Sequence, residues 1–310
     1  MSAIRLLAPI AMALLFTGCE EIGNWGNSDR YREDFKSTVA LKAGGRLSIE
    51  NMNGSIEIMG WDRNEVDITA VKFASTEEAL NRLKIEVTAP GDFVSIRTVQ
   101  PSGFRGGMGA RYTIRVPRKT ELERIISSNG RVQVEDVEGN GRIRTSNGSV
   151  KALRTRGSLE VETSNASVDL AEHVGPASVR TSNGQVRADN VRGHFDATTS
   201  NSSITARLAD PEPGRPVKLS STNGSINLTV ESLKNNDIVA TTSNSSITVK
   251  LPGSVGAQLK ASTSNSSIST DFDVNVRGTT SKHRLEGAIN GGGPLMTLST
   301  SNGSIRIQRL

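Results

Sequence analysis

From about Glu121 to the C-terminus, apolar and polar positions alternate in short runs separated by polar corners. Ile143 and Thr145, then Leu159, Val161 and Thr163, then Ala177, Val179 and Thr181, then Phe195, Ala197 and Thr199 fall on every second position. Such period-two alternation predicts strands with one buried face. A second run follows each corner, starting at Val150, Val168, Val186 or Ile204, with Ala152, Leu170, Ala188 or Ala206 two residues later. The corner itself is Thr145-Ser146-Asn147-Gly148-Ser149 and its variants. Its Asn recurs at Asn129, Asn147, Asn165, Asn183 and Asn201 at intervals of eighteen, then at Asn223, Asn244, Asn265 and Asn302, with an outlying copy at Asn53. A fixed period this short predicts a stacked repeat. The fold expected is all-β: a single-chain β-solenoid (β-helix) of about ten coils behind an N-terminal β-rich cap carrying one short helix.

If each strand stays regular into its corner, the Asn shares the inward face with the apolar residues. A ladder of amides bonded coil to coil would then offset the burial of polar groups. The nine asparagines from Asn129 to Asn302 are accordingly expected to form a structural ladder, with the Asn itself turning the corner in the left-handed region. Gly139, Gly157, Gly175 and Gly193 mark a second corner where positive φ or close backbone approach is expected. The residue after the Asn is Gly148, Ala166, Gly184 or Ser202, so Gly is not required there. Two outward columns, Arg144/Glu162/Arg180 and Lys151/Asp169/Arg187, alternate in charge, which favours in-register stacking. Hexapeptide spacing fails (Asn183 leads to Asp189), so a compact right-handed or two-faced coil is favoured over the left-handed hexad type. The main stack would be a rod on the order of 45 Å long.

The N-terminus carries a different pattern. Arg5 precedes an apolar run from Leu6 to Phe16, too short to span a membrane as a helix and suited to a signal peptide. Phe16-Thr17-Gly18-Cys19 resembles the lipobox of bacterial lipoproteins, which implies cleavage before Cys19 and lipidation of it, giving a multi-chain membrane anchor. The organisation expected is residues 1–18 as lipoprotein signal peptide, 19–34 as lipidated flexible tether, 35–120 as cap and 121–310 as solenoid with repeats of eighteen to twenty-two residues. Within the cap, Ser75 or Thr76 is placed to cap a helix, and strands are expected near 84–88, 93–99 and 111–116. The step from Asn265 to Asn302 is read as close to two successive coils, with the chain's last strand ending the stack.

Composition narrows the function. Lys and Arg number 37 against 32 Asp and Glu, a formal charge of +5, and aromatic residues make up 4%. The charges alternate in sign without a basic run, so no nucleic-acid partner is expected. Cys19 is the single cysteine, leaving no disulfide or thiolate metal site. His173, His194 and His283 fall in no catalytic motif, and His173 occupies a corner column shared with Val137, Thr155 and Val191. No catalytic, cofactor-binding or metal residues are therefore assigned, and no cofactor is expected. An outward column of Ser146, Ser164, Ser182 and Ser200 is a minor candidate for sugar or ice binding.

The repeated TSNGSI, the strand Ile114-Arg-Val-Pro117 and the closing Gly-Gly-Gly-Pro-Leu-Met-Thr-Leu-Ser-Thr-Ser-Asn-Gly-Ser-Ile resemble the bacterial putative-adhesin family, β-strand-repeat envelope proteins related to head-GIN-domain proteins. The resemblance runs from about residue 35 to the end and brings no catalytic residues. Together with the lipobox it implies a lipid-anchored, non-catalytic cell-envelope protein with a structural or adhesin-like surface, on the outer membrane, in the periplasm or at the cell surface where there are two membranes. The partners expected are the membrane, through the lipid, and an envelope polysaccharide or protein. Alternatives are a polysaccharide-binding or -cleaving β-helix, or a partner of an envelope-stress regulatory system.

Overall fold

A computed structural model of the chain describes residues 29–101, 107–276 and 281–310. The expected signal peptide and Cys19 lie outside them. Among the described residues twenty-seven strands form two sheets, one of thirteen and one of fourteen strands. Each coil contributes one strand to each sheet, and the apolar side chains of both meet between them. Val150, Ile143, Val168, Val161, Val186 and Phe195 are all buried in that single core. The coil is thus two-faced.

In-register parallel pairing repeats up the stack. Gly141–Thr145, Leu159–Glu162, Ala177–Arg180 and Phe195–Thr198 follow one another in one sheet, and Val150–Leu153, Val168–Ala171 and Val186–Arg192 in the other. Both ends close with antiparallel strands. At one end Tyr31–Ala40 pairs along Glu65–Ala74, and Lys84–Thr88 along Phe93–Val99. At the other, Val274–Val276 and Arg284–Ile289 cover Ala257–Thr263. The helix Glu77–Arg82 is capped by Thr76, whose Oγ1 accepts from the Ala79 N–H at 3.2 Å.

Spatial order departs from chain order at both ends. The Asn53 coil (Gly45–Asn51 and Ile56–Trp61) lies between Phe93–Val99/Met108–Pro117 and the Asn129 coil. The Asn302 coil (Leu295–Thr300 and Ile305–Arg309) lies between the Asn244 and Asn265 coils. The expectation of two successive coils between Asn265 and Asn302, with the last strand at the rim, is therefore corrected. Ile305 and Ile307 are fully buried, as a strand paired on both edges requires, whereas the three-residue strand Ile268–Thr270 is half-exposed and suits a rim.

Candidate functional site

The corners define the most regular surface of the molecule. The strand Gly141–Thr145 ends before the Asn, and Ser146 and Asn147 are both exposed, so alternation stops there. The asparagines from Asn129 to Asn302 consequently face solvent, which corrects the inward placement. None of them has positive φ. The amides nevertheless bond rung to rung. Asn147 Nδ2 donates to Asn129 Oδ1, Asn165 to Asn147 and Asn183 to Asn165, each at 2.7 Å. The chain continues through Asn201, Asn223, Asn244, Asn302 and Asn265 in that order, and begins at Asn53, which donates to the Met108 carbonyl at 2.8 Å. Every bond points the same way, so the amides polarise one another.

The residue two before each Asn is the one that is buried. Thr145, Thr163, Thr181, Thr199, Thr242, Thr263 and Thr300 lie between 2% and 7% exposed. All but Thr145, whose Oγ1 accepts from the Gly148 N–H at 3.1 Å, donate their hydroxyls to carbonyls of the adjacent coil, as Thr199 Oγ1 does to Gly184 O at 3.0 Å and Thr242 Oγ1 to Gly224 O at 2.9 Å. In spatial order the residue after the Asn reads Gly54, Gly130 and Gly148 on the three lowest rungs, then Ala166, Gly184, Ser202, Gly224, Ser245, Gly303 and Ser266. A Cβ on Gly184 would sit 1.7 Å from the Ala166 carbonyl oxygen, and one on Gly303 1.8 Å from that of Ser245. The site thus does demand Gly, on every one of the three lowest rungs and at alternate rungs above them.

Five rungs of the upper stack carry hydroxyls and amides without a charge. They are Thr198-Ser200-Asn201, Ser220-Thr222-Asn223, Thr241-Ser243-Asn244, Ser299-Ser301-Asn302 and Ser262-Ser264-Asn265, with their first members in register. In the lower stack the first members are Arg144, Glu162 and Arg180. From the sequence only the Ser column stands out, although the uncharged Thr198, Ser220 and Thr241, each three residues before its Asn, follow in chain order and only the Ser299 rung lies out of it.

The second corner is charged. Asp136, Arg154, Glu172 and Asn190 take positive φ between 49° and 57° in successive coils, followed by positive φ at Gly139, Gly157, Gly175 and Gly193. Arg154 Nε donates to Asp136 Oδ1 at 2.8 Å, and this bond together with the nearby Arg154 charge holds the Asp136 carboxyl below the usual carboxylate range. Of the two expected charge columns, Arg144 pairs with Glu162, whereas Lys151, Asp169 and Arg187 sit in register without an ion pair among the described residues.

Titratable groups that face inward are satisfied locally or stranded. His173 is 1% exposed, with Nδ1 2.9 Å from Thr155 Oγ1 and Nε2 without a partner. Burial pushes its pKa down. His194 Nε2 lies 3.1 Å from Asp196 Oδ2, and His283 Nδ1 2.7 Å from the Ser266 carbonyl. Burial raises the Tyr112 phenol to about 12 despite its bond to Thr98. Among the described residues no group of three His, Cys, Asp or Glu side chains is placed to hold a metal ion, and no helix is long and apolar enough to cross a membrane.

Comparison with known proteins places this geometry. No curated protein matches the chain. A putative cell adhesion protein from Clostridium sporogenes is similar at 13% identity over 90% of this chain and 100% of that one, with a TM-score of 0.26. A putative adhesin from Bacteroides fragilis is similar at 12% over 90% and 97%, with a TM-score of 0.30. One from Parabacteroides merdae is similar at 9% over 90% and 96%, with a TM-score of 0.28. The Toastrack DUF4097 profile matches residues 45–308, from the Asn53 coil to the last strand, and the chain belongs to the Toastrack DUF4097 family.

Proposed function

We propose that this chain is a lipid-anchored, non-catalytic β-solenoid of the cell envelope that presents a structural or adhesin-like surface. The observation that supports this reading best is the uncharged Ser/Thr/Asn lattice, facing solvent on five consecutive rungs and fixed by a continuous amide ladder. A surface held by bonds along the rod is rigid before any partner arrives, which lowers the ordering cost of association. Ion pairs such as Arg154 with Asp136 and Arg207 with Glu231 run between neighbouring rungs in place of converging on one point. The lipobox-like Phe16-Thr17-Gly18-Cys19 supplies the anchor. Replacing Cys19 by Ala tests it: the variant is expected in the soluble fraction of lysed cells, and a variant that sediments with membranes as the parent does refutes the anchor.

A further inference from the structure

The outer face of the other sheet carries a groove of a different character. Open, with a volume of about 940 Å³, it runs across the coils from Lys151 to Lys250. Its floor is uncharged and hydrogen-bonding: Thr205, Asn227 and Thr248 stand in register on three successive coils, with Thr229 beside them. Arg187 precedes Thr205 in the same column, and Arg306 follows Thr248 one rung beyond the groove's lining. Lys250 sits in register with Thr229. Arg187, Lys250 and Arg306 are exposed and form no ion pair among the described residues. The groove's acidic members are Asp169 and Asp189, and Asp189 is engaged with Arg207, which also binds Glu231. Arg306 reaches this column only because the last coil inserts below the Asn265 coil.

We propose that this groove binds a linear acidic polysaccharide lying along the rod axis, an assignment that rests on the envelope-surface reading above. Unpaired guanidinium and ammonium groups at both ends match carboxylates, which guanidinium can hold bidentately. The floor between them offers hydroxyl and amide groups suited to sugar hydroxyls. Arg187 and Arg306 are four coils apart, about 19 Å at the strand spacing, a span that takes several sugar units and more than one carboxylate. The described lining holds no aromatic ring to stack a base on, which favours an acidic glycan over a single-stranded nucleic acid. Electrostatic attachment of this kind is screened by salt.

The test uses the full chain in neutral detergent, with polygalacturonate, dextran and single-stranded DNA as probes. Polygalacturonate is expected to bind at low salt and to weaken as salt rises, with dextran not binding and the DNA binding more weakly. The triple charge reversal Arg187→Glu, Lys250→Glu and Arg306→Glu is expected to lower polygalacturonate affinity tenfold or more, which is about 1.4 kcal/mol or more. The triple reversal Arg180→Glu, Lys218→Glu and Lys260→Glu, on the opposite sheet, makes the same change in net charge and is expected to alter the affinity little. Absence of polygalacturonate binding, equal binding of dextran, tighter binding of DNA, or equal losses in the groove and control variants overturns the proposal. Membrane fractionation of the same cells separates the two readings. A membrane-bound chain that ignores polygalacturonate ends the glycan assignment alone, whereas a chain absent from the membrane fraction ends the anchored-surface reading while leaving the groove's binding measurable.

Discussion

Thr199 and Asn201 stand two residues apart in one corner, yet burial gives them unequal weight. The Thr199 hydroxyl is inside the core on the Gly184 carbonyl, while Asn201 holds its two amide neighbours in water. Thr199→Val strips a buried acceptor and is expected to lower stability by about 1–3 kcal/mol. Asn201→Ala leaves partners that water can serve, so about 0.5–1 kcal/mol is expected. Urea unfolding of the two variants decides between them, and a larger loss at Asn201 contradicts this assignment. His173 adds a pH dependence. Its folded-state pKa is depressed by burial below 6.5, so the unfolded chain takes the proton first. Stability from this group is whole above pH ~6.5 and declines as pH falls below it. Replacing Thr155 and His173 together by Val, as in the neighbouring Val137 and Val191, is expected to leave stability at pH 7.5 equal or higher and to remove part of the loss at pH 5.5. Parallel unfolding curves at both pH values check this; identical acid losses in parent and variant exclude it.

The corner as an element was half legible. Eighteen-residue spacing announced strand, corner, strand, and the Gly139 column announced positive φ. The side that Asn faces was not legible, because period two says nothing about where a strand stops. The Gly/Cβ alternation after the Asn makes its own prediction. Gly184→Ala places a methyl against the Ala166 carbonyl and is expected to cost about 1–3 kcal/mol as an overpacked backbone contact. Ser202→Ala keeps the Cβ already present and is expected to stay within about 0.5 kcal/mol of the parent. Thermal melts of both would show the difference, and equal transitions would mean that the rungs are free to slide apart. The exposed Arg144–Glu162 pair, by contrast, contributes little, on the order of 0–1 kcal/mol.

At the scale of the whole molecule, the interleaved last coil makes the C-terminus an internal part of the stack. A chain ending at Gly293 loses Leu295–Thr300 and Ile305–Arg309, and with them the parallel neighbours of both the Asn244 and Asn265 coils. Because each coil is stabilised through its neighbours, residues 257–289 are expected to become protease-sensitive along with the last coil. Limited proteolysis with mass mapping tests this. Protection of 257–289 equal to that in the full chain would show that the Asn265 coil can dock directly on the Asn244 coil. From Gly148 upward the alternation was a usable sign of the insertion: Ser245 and Ser266 are adjacent in sequence order, and Gly303 between them restores it.

The sequence by itself determined the all-β class, the period, the in-register stacking and the lipobox-like N-terminus, since each is a local pattern repeated many times. Tertiary structure alone decided the order of the coils at both ends, the outward turn of the Asn ladder, the uncharged five-rung lattice and the sheet face that gathers Arg187, Lys250 and Arg306. The physical reason is the near-identity of the rungs. Any TSN corner can bond any other, so local pattern cannot say which pairs lie adjacent. That choice is made by long-range packing: which strand can be buried on both edges, and which glycine leaves room for the carbonyl of its neighbour.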